Sequence, residues 1–152
     1  GDDIWNTNDQ FRYAYKKINT DFSFSIKIDS LYNVHQYAKA GLMIRKSLNS
    51  NSAHGLINMF PSGNTEFGYR TSNGETMKAK SGPQIDLKNA RLKIKKSGKI
   101  IEFFVLDSND WEKLGELNIA KWGNSFYVGI ATLSHDDSQL TKAQYSEIVL
   151  TN

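Results

Sequence analysis

The sequence has no cysteine. That excludes disulfides and thiolate metal sites, and it leaves the compartment open, since a secreted domain need not carry cysteine. Proline is scarce too, at two residues. No apolar run approaches the roughly 20 residues of a membrane-crossing helix. No membrane span is therefore expected. A strong excess of one charge is also missing: 19 Lys and Arg stand against 16 Asp and Glu, a net +3. This is too little to imply nucleic acid as a partner. The histidines, His35, His54 and His135, are far apart and lack the spacing of zinc ligands. Helical periodicity is almost absent. The chain begins at Gly1 and carries no signal-peptide pattern, so an excised piece of a larger protein is expected.

What the sequence has in quantity is alternation. Phe22, Phe24, Ile26 and Ile28 fall on one face of a strand, with Ser23, Ser25 and Lys27 opposite. Phe11, Tyr13 and Tyr15 share a face, and Leu92 and Ile94 alternate with basic residues. Val128, Ile130 and Thr132 alternate with Tyr127, Gly129, Ala131 and Leu133. Between these runs lie turn clusters such as Ser62-Gly63-Asn64, Ser97-Gly98 and Gly123-Asn124. Asn73-Gly74 suits a tight hairpin, because both residues tolerate positive φ. Around Trp111 to Leu114 a short helix and a hairpin tip both fit. Strands at this spacing, with so few helix signals, indicate an all-β antiparallel sandwich or barrel. The 152 residues are expected to form one domain, 1–152, since a chain of this size buries about 68–70% of its unfolded surface.

Hydrolytic chemistry is not expected. A retaining glycosidase needs two carboxylates about 5–5.5 Å apart in one cleft. No strand here carries a Glu-x-Asp-x-Glu arrangement. Asp107, Asp110, Glu112 and Glu116 cluster near a turn, where solvated carboxylates are ordinary. No Gly-x-Ser-x-Gly elbow is present either.

The segment "YAKAGLMIRKS", 37–47, poses a question. Ala38, Ala40, Leu42 and Ile44 are apolar at period two, yet Lys39, Gly41, Met43 and Arg45 share the other face. Two cations on a central strand need partners, because an unpaired buried charge is costly.

The stretches "GDDIW…DQFRYAYKKI", "YAKAGLMIRKS", "SAHGLINMFPSGNTEFGYR" and "FYVGIATLSHDDSQLTKAQYSEI" resemble the concanavalin A-like (laminin-G-like) jelly-roll modules. They are most similar to a group filed as a domain of unknown function in secreted bacterial glycoside hydrolases. The resemblance implies a two-sheet jelly roll. It implies a non-catalytic carbohydrate-binding or accessory module, secreted or at the cell surface, with a polysaccharide or other domains of the same chain as partners. A protein-interaction or spacer module stands beside it as the alternative. No cofactor is required, but modules of this kind often hold a structural calcium where the chain ends meet. Asp2, Asp3 and Glu147 would supply it.

Sugars are held by ring faces and by polar side chains on hydroxyls. The expected ligand-binding set is Trp5, Tyr13, Lys39, Arg45, Arg70 and His135, gathered on the concave face. Gly41, Gly129 and Ala131 would leave room there. Two roles stay open for the cations: contact with a glycan, or pairing with internal carboxylates such as Asp9 or Glu66. Arg70, at a strand end, leans to the glycan and Arg45 to the internal pair. Trp5, Trp111 and Trp122 are each either half-exposed platforms or core plugs.

Overall fold

The computed structural model describes residues 1–152. Its strands are β1 (Ile4–Trp5), β2 (Asn8–Asp9), β3 (Arg12–Ile18), β4 (Phe22–Leu31), β5 (Lys39–Arg45), β6 (His54–Met59) and β7 (Thr65–Arg70). They continue as β8 (Lys78–Ser81), β9 (Ala90–Ser97), β10 (Ile100–Asp107), β11 (Asp110–Asn118), β12 (Phe126–Leu133) and β13 (Ala143–Thr151). A single 3-10 turn at Leu87–Asn89 is the only helical element.

Two antiparallel sheets face each other. One has the order β11-β10-β9-β4-β13, the other β3-β12-β5-β6-β7-β8, and β1-β2 form a separate ribbon. The crossovers between sheets make this a jelly-roll sandwich. The apolar alternation decides which faces meet. Phe22, Phe24, Ile26 and Ile28 of β4 are buried, as are Leu92 and Ile94 of β9 and Phe103 of β10. They pack against Ala40, Leu42 and Ile44 of β5 and Ile57 and Phe67 of the neighbouring strands. Each large side chain fully removed from water contributes about 1.5–3 kcal/mol.

Strands β5 and β6 are buried along their whole length, on both faces. Alternation alone does not explain this, because the six-stranded sheet has only one sheet against it. A second, smaller cluster lies on its other face. Ile4 joins Met43, Leu56, Met77, Ala131 and Leu133 there, with Phe11 and Tyr13 partly buried beside them. The N-terminal ribbon is thus a cover for the outer face of the sheet. Its two-residue turn holds Asn6 at φ 48°, a left-handed conformation that Asn tolerates better than most residues.

Some local expectations change. Asn73 and Gly74 do not make a tight hairpin but belong to the loop 71–77 between β7 and β8. Gly74 does take φ +79°, and the loop folds back on the turn segment 51–53 just before β6. There the Asn73 side-chain oxygen accepts from Ala53 N–H, and Gly74 N–H donates to Asn51. These bonds replace the ladder bonds of a two-residue turn. Trp111 to Leu114 is strand, not helix, following a turn with Ser108 at φ 58°.

The glycines on the outer face leave no room for a ligand. A Cβ on Gly41 would lie 2.1 Å from the Ile57 carbonyl oxygen and 2.7 Å from Asn58 Cα. On Gly129 it would meet the backbone of β3, with Ala14 O at 2.0 Å. On Gly68 it would meet Met77 Cε at 2.6 Å. Smallness here serves the close approach of strands and the cover.

Candidate functional site

The antiparallel register lines up the outer-face residues in rows. One row runs Tyr127, Arg45, His54, Arg70 across β12, β5, β6 and β7. Another runs Ala131, Gly41, Asn58, Glu66. Lys39 stands opposite Leu133, nearer the loops.

The first row is closed by Asp9 of the ribbon. Arg45 donates to its Oδ2 at 2.7 Å, and Arg70 at 2.8 Å. Arg70 also reaches Oδ1 at 3.0 Å, so it grips the carboxylate with both forks. The remaining guanidinium donors go to backbone oxygens. Arg45 donates to Ser47 and Asn49, and Arg70 to Ser52, Asn6 and Glu75. All three side chains are 0–1% exposed. His54 sits beside them, wholly buried, with Nδ1 3.6 Å from Asp9 Oδ2. This contact is not an ion pair. Burial, together with the two guanidinium groups, pushes the His54 pKa down to about 3 against the pull of Asp9.

At the same open end of the ribbon, where Ile4 pairs with Asp9, the other strand is tied by Asp3. Lys39 Nζ donates to Asp3 Oδ1 at 2.8 Å and to the Ile4 carbonyl at 3.3 Å. Its remaining side faces the Trp5 ring, 5.2 Å from the centroid. His135 Nδ1 lies 3.3 Å from Asp3 Oδ2. Its ring stacks on His35 at 4.5 Å and meets Tyr37 edge-on at 5.7 Å. His135 holds φ 61°, an uncommon conformation for a non-glycine residue.

Between the ribbon and the β6–β7 turn opens a cleft of about 850 Å³. Trp5, Tyr37 and Phe60 supply its rings, and Asn33, Gln36 and Asn64 its amides. Trp5 is 38% exposed and Tyr37 50%. Asp3, Lys39, Glu66 and His135 add its ionisable groups. Glu66 stands apart from the others. It makes no ion pair, and its pKa is raised by burial, a rise that Lys39 opposes and Asp3 assists. Beside it on β6, Asn58 is fully buried and neither side-chain polar atom has a partner.

Of the six residues expected to bind a ligand, Trp5, Lys39 and His135 come together in this cleft. Tyr13 and Arg45 line a separate groove of about 350 Å³ with Phe11 and Tyr15. The Tyr13 hydroxyl turns inward, 2.9 and 2.8 Å from the carbonyls of Met43 and Tyr127. Arg70 lines neither opening. Its expected lean toward a ligand is corrected by its position: the ribbon covers it, and Asp9 and backbone oxygens engage its donors.

The calcium set does not assemble. Asp3 is engaged by Lys39, while Glu147, on the outermost strand of the other sheet, pairs with Arg91. Asp2 is exposed, and its backbone N–H is bonded to Gln10. No group of three or more acidic or histidine side chains is placed to hold a metal ion. The residues present do not fit a calcium site.

The sequence reading missed Tyr37, Phe60 and the three amides. All lie in loops or at strand ends, where no periodicity marks them. Trp122 resolves as a core plug, 6% exposed with its indole N–H on the Thr71 carbonyl. Trp111 stays 38% exposed on the far sheet.

No family model and no curated protein matches the sequence. Solved structures do match the fold. A protein of unknown function from Saccharomyces cerevisiae superposes with TM-score 0.73 at 14% identity, covering 98% of this chain and 82% of the other. The carbohydrate-binding module CBM66 from Bacillus subtilis gives 0.61 at 12% identity, covering 99% and 96%. The legume lectin-like domain from Entamoeba histolytica gives 0.58 at 14%, covering 95% and 82%. The chain therefore shares with them the fold of a two-sheet antiparallel jelly roll. At these identities the likeness is one of fold.

Proposed function

We propose that the chain is a non-catalytic carbohydrate-binding module and that its ligand lies in the cleft beside Trp5 and Tyr37. The observation that carries this is the combination of half-exposed rings with a free carboxylate and several amides in one opening. Rings take the C–H face of a sugar, and the polar groups take its hydroxyls. The carbohydrate-binding names of two fold relatives agree with it, although fold alone does not define function. Catalysis is disfavoured by the carboxylates themselves. Asp3 is held by Lys39, which leaves Glu66 without a free second acid for glycoside cleavage. We further propose a secreted or cell-surface setting within a polysaccharide-active protein. No helix is long and apolar enough to cross a membrane.

Retardation in gels containing soluble polysaccharides tests the reading. Tyr37→Ala should weaken binding at least about tenfold, or about 1.4 kcal/mol. Because Tyr37 is 50% exposed, the melting temperature should hardly move. Absence of retardation by any glycan would leave the spacer or protein-interaction role standing instead.

A further inference from the structure

We infer that the cleft selects uncharged glycans over anionic ones and that Glu66 is the residue that reads their hydroxyls. This rests on the cleft being the glycan site proposed above. The sequence places three cations on this face, which suggests a site for acidic sugars. The structure removes all three. Arg45 and Arg70 are beneath the ribbon, engaged by Asp9 and backbone oxygens. Lys39 is the only Lys or Arg lining the cleft. Its ammonium has three N–H donors. Asp3 takes one and the Ile4 carbonyl another, and the Trp5 ring faces the charge. It is 4% exposed. A ligand carboxylate would have to break these contacts to reach it.

The charge that does face the opening is negative. Glu66 lines the cleft with no protein donor on either oxygen, between Asn58 and Ser81 of the adjoining strands. A carboxylate is an acceptor with two oxygens, suited to paired hydroxyls of one sugar ring. A uronic or sialic acid would instead set like charge against it in a partly desolvated place, which is repulsive. The amides of Asn33, Gln36 and Asn64 can serve either ligand, so they do not offset that repulsion.

The experiment is isothermal titration of the full chain against neutral polysaccharides (mannan, xylan, mixed β-glucan, fructan), polyuronates and chitosan. Each is repeated with Glu66→Gln and Tyr37→Ala. We expect binding to a neutral glycan, with polyuronate at least about tenfold weaker. Glu66→Gln should weaken the neutral ligand about tenfold without lowering the melting temperature, since Glu66 has no partner to lose. Polyuronate binding more tightly than every neutral glycan, and lost in Tyr37→Ala, would overturn this inference and leave the cleft as the glycan site; chitosan binding that Glu66→Gln weakens would support it, since the carboxylate attracts an ammonium. So would neutral binding that Tyr37→Ala weakens and Glu66→Gln leaves unchanged. No binding to any probe, or binding indifferent to Tyr37→Ala, would overturn the glycan site itself.

Discussion

Replacing Asp9 by asparagine should destabilise the domain by about 3–5 kcal/mol, the usual cost of breaking a buried ion pair from one side. For a chain of this size that corresponds to a fall in Tm of roughly 6–20 °C, at about 2–4 °C per kcal/mol. Asp9 carries the one negative charge shared by two buried guanidinium groups. Asparagine keeps the shape and removes the charge. Arg45 and Arg70 would then sit at 1% exposure with only uncharged partners, and neither can lose its proton. The remedy for the guanidinium groups would be water, which means lifting the ribbon. Lifting it uncovers Met43, Leu56 and Leu133 and removes Trp5 and Asp3 from the cleft. A second variant separates the charge effect from the packing effect. Asp9→Leu combined with Arg45→Met and Arg70→Met should recover much of the loss, because apolar groups of similar volume replace such clusters at little cost. Thermal denaturation of both variants decides it. A loss below about 1 kcal/mol in Asp9→Asn would mean that the Asp9 charge does not hold the ribbon, leaving its apolar contacts, the Asp3–Lys39 pair and backbone bonds to do so.

Acidification should destabilise the domain through His54. Its pKa is about 3 in the folded protein against an ordinary 6.5. The unfolded chain therefore takes up a proton below pH 6.5 that the folded chain refuses. Stability from this group is complete above pH 6.5 and is lost as pH falls toward 3. The slope approaches about 1.4 kcal/mol for each pH unit, which amounts to about 2 kcal/mol between pH 6.5 and 4.5. His54 has no room to relax, since it is 0% exposed and its Nε2 has no partner. The charged groups around it are Asp9, Arg45 and Arg70. Burial first, and the two guanidinium groups after it, outweigh the pull of Asp9 and leave it neutral. Chemical denaturation at several pH values checks this. The wild-type protein should lose stability over that interval, and His54→Gln should lose distinctly less. Parallel curves for the two proteins would show that His54 takes up its proton in the folded state after all.

Much of the sandwich was legible from residues alone. The alternation of Phe22 to Ile28 and of Leu92 with Ile94 named the inward faces of two strands that do meet the other sheet. Ser97-Gly98 and Ser62-Gly63-Asn64 named turns that take positive φ at Gly98 and Gly63. Pairing with Asp9 was one of two roles open for the cations, and it is the one that the burial of Arg45 and Arg70 selects. Period-two patterning reports which side of a strand is apolar, but not what covers the polar side. Lys39, Arg45 and Arg70 therefore read as cations of one face with two roles open, ligand contact or internal pairing, and only the structure shows that the chain's own first residues cover them.

The sequence by itself determined the class of fold, because side-chain alternation is a local property and two apolar faces have few ways to meet. It also excluded thiol chemistry, since cysteine is absent, and it left paired-acid catalysis unexpected, since no Glu-x-Asp-x-Glu arrangement stands along a strand. Only the tertiary structure decided what the outer face does. Asp3 and Asp9 lie 36 residues before Lys39 and Arg45 in the chain, and Asp9 lies 61 before Arg70. Sheet register and the placement of the ribbon bring them together, and no local pattern encodes either. The same folding step engages the cations and leaves Glu66 free. It also sets Trp5 of the ribbon across from Tyr37 and Phe60 of two loops, so the cleft exists only once those distant segments have closed on one another.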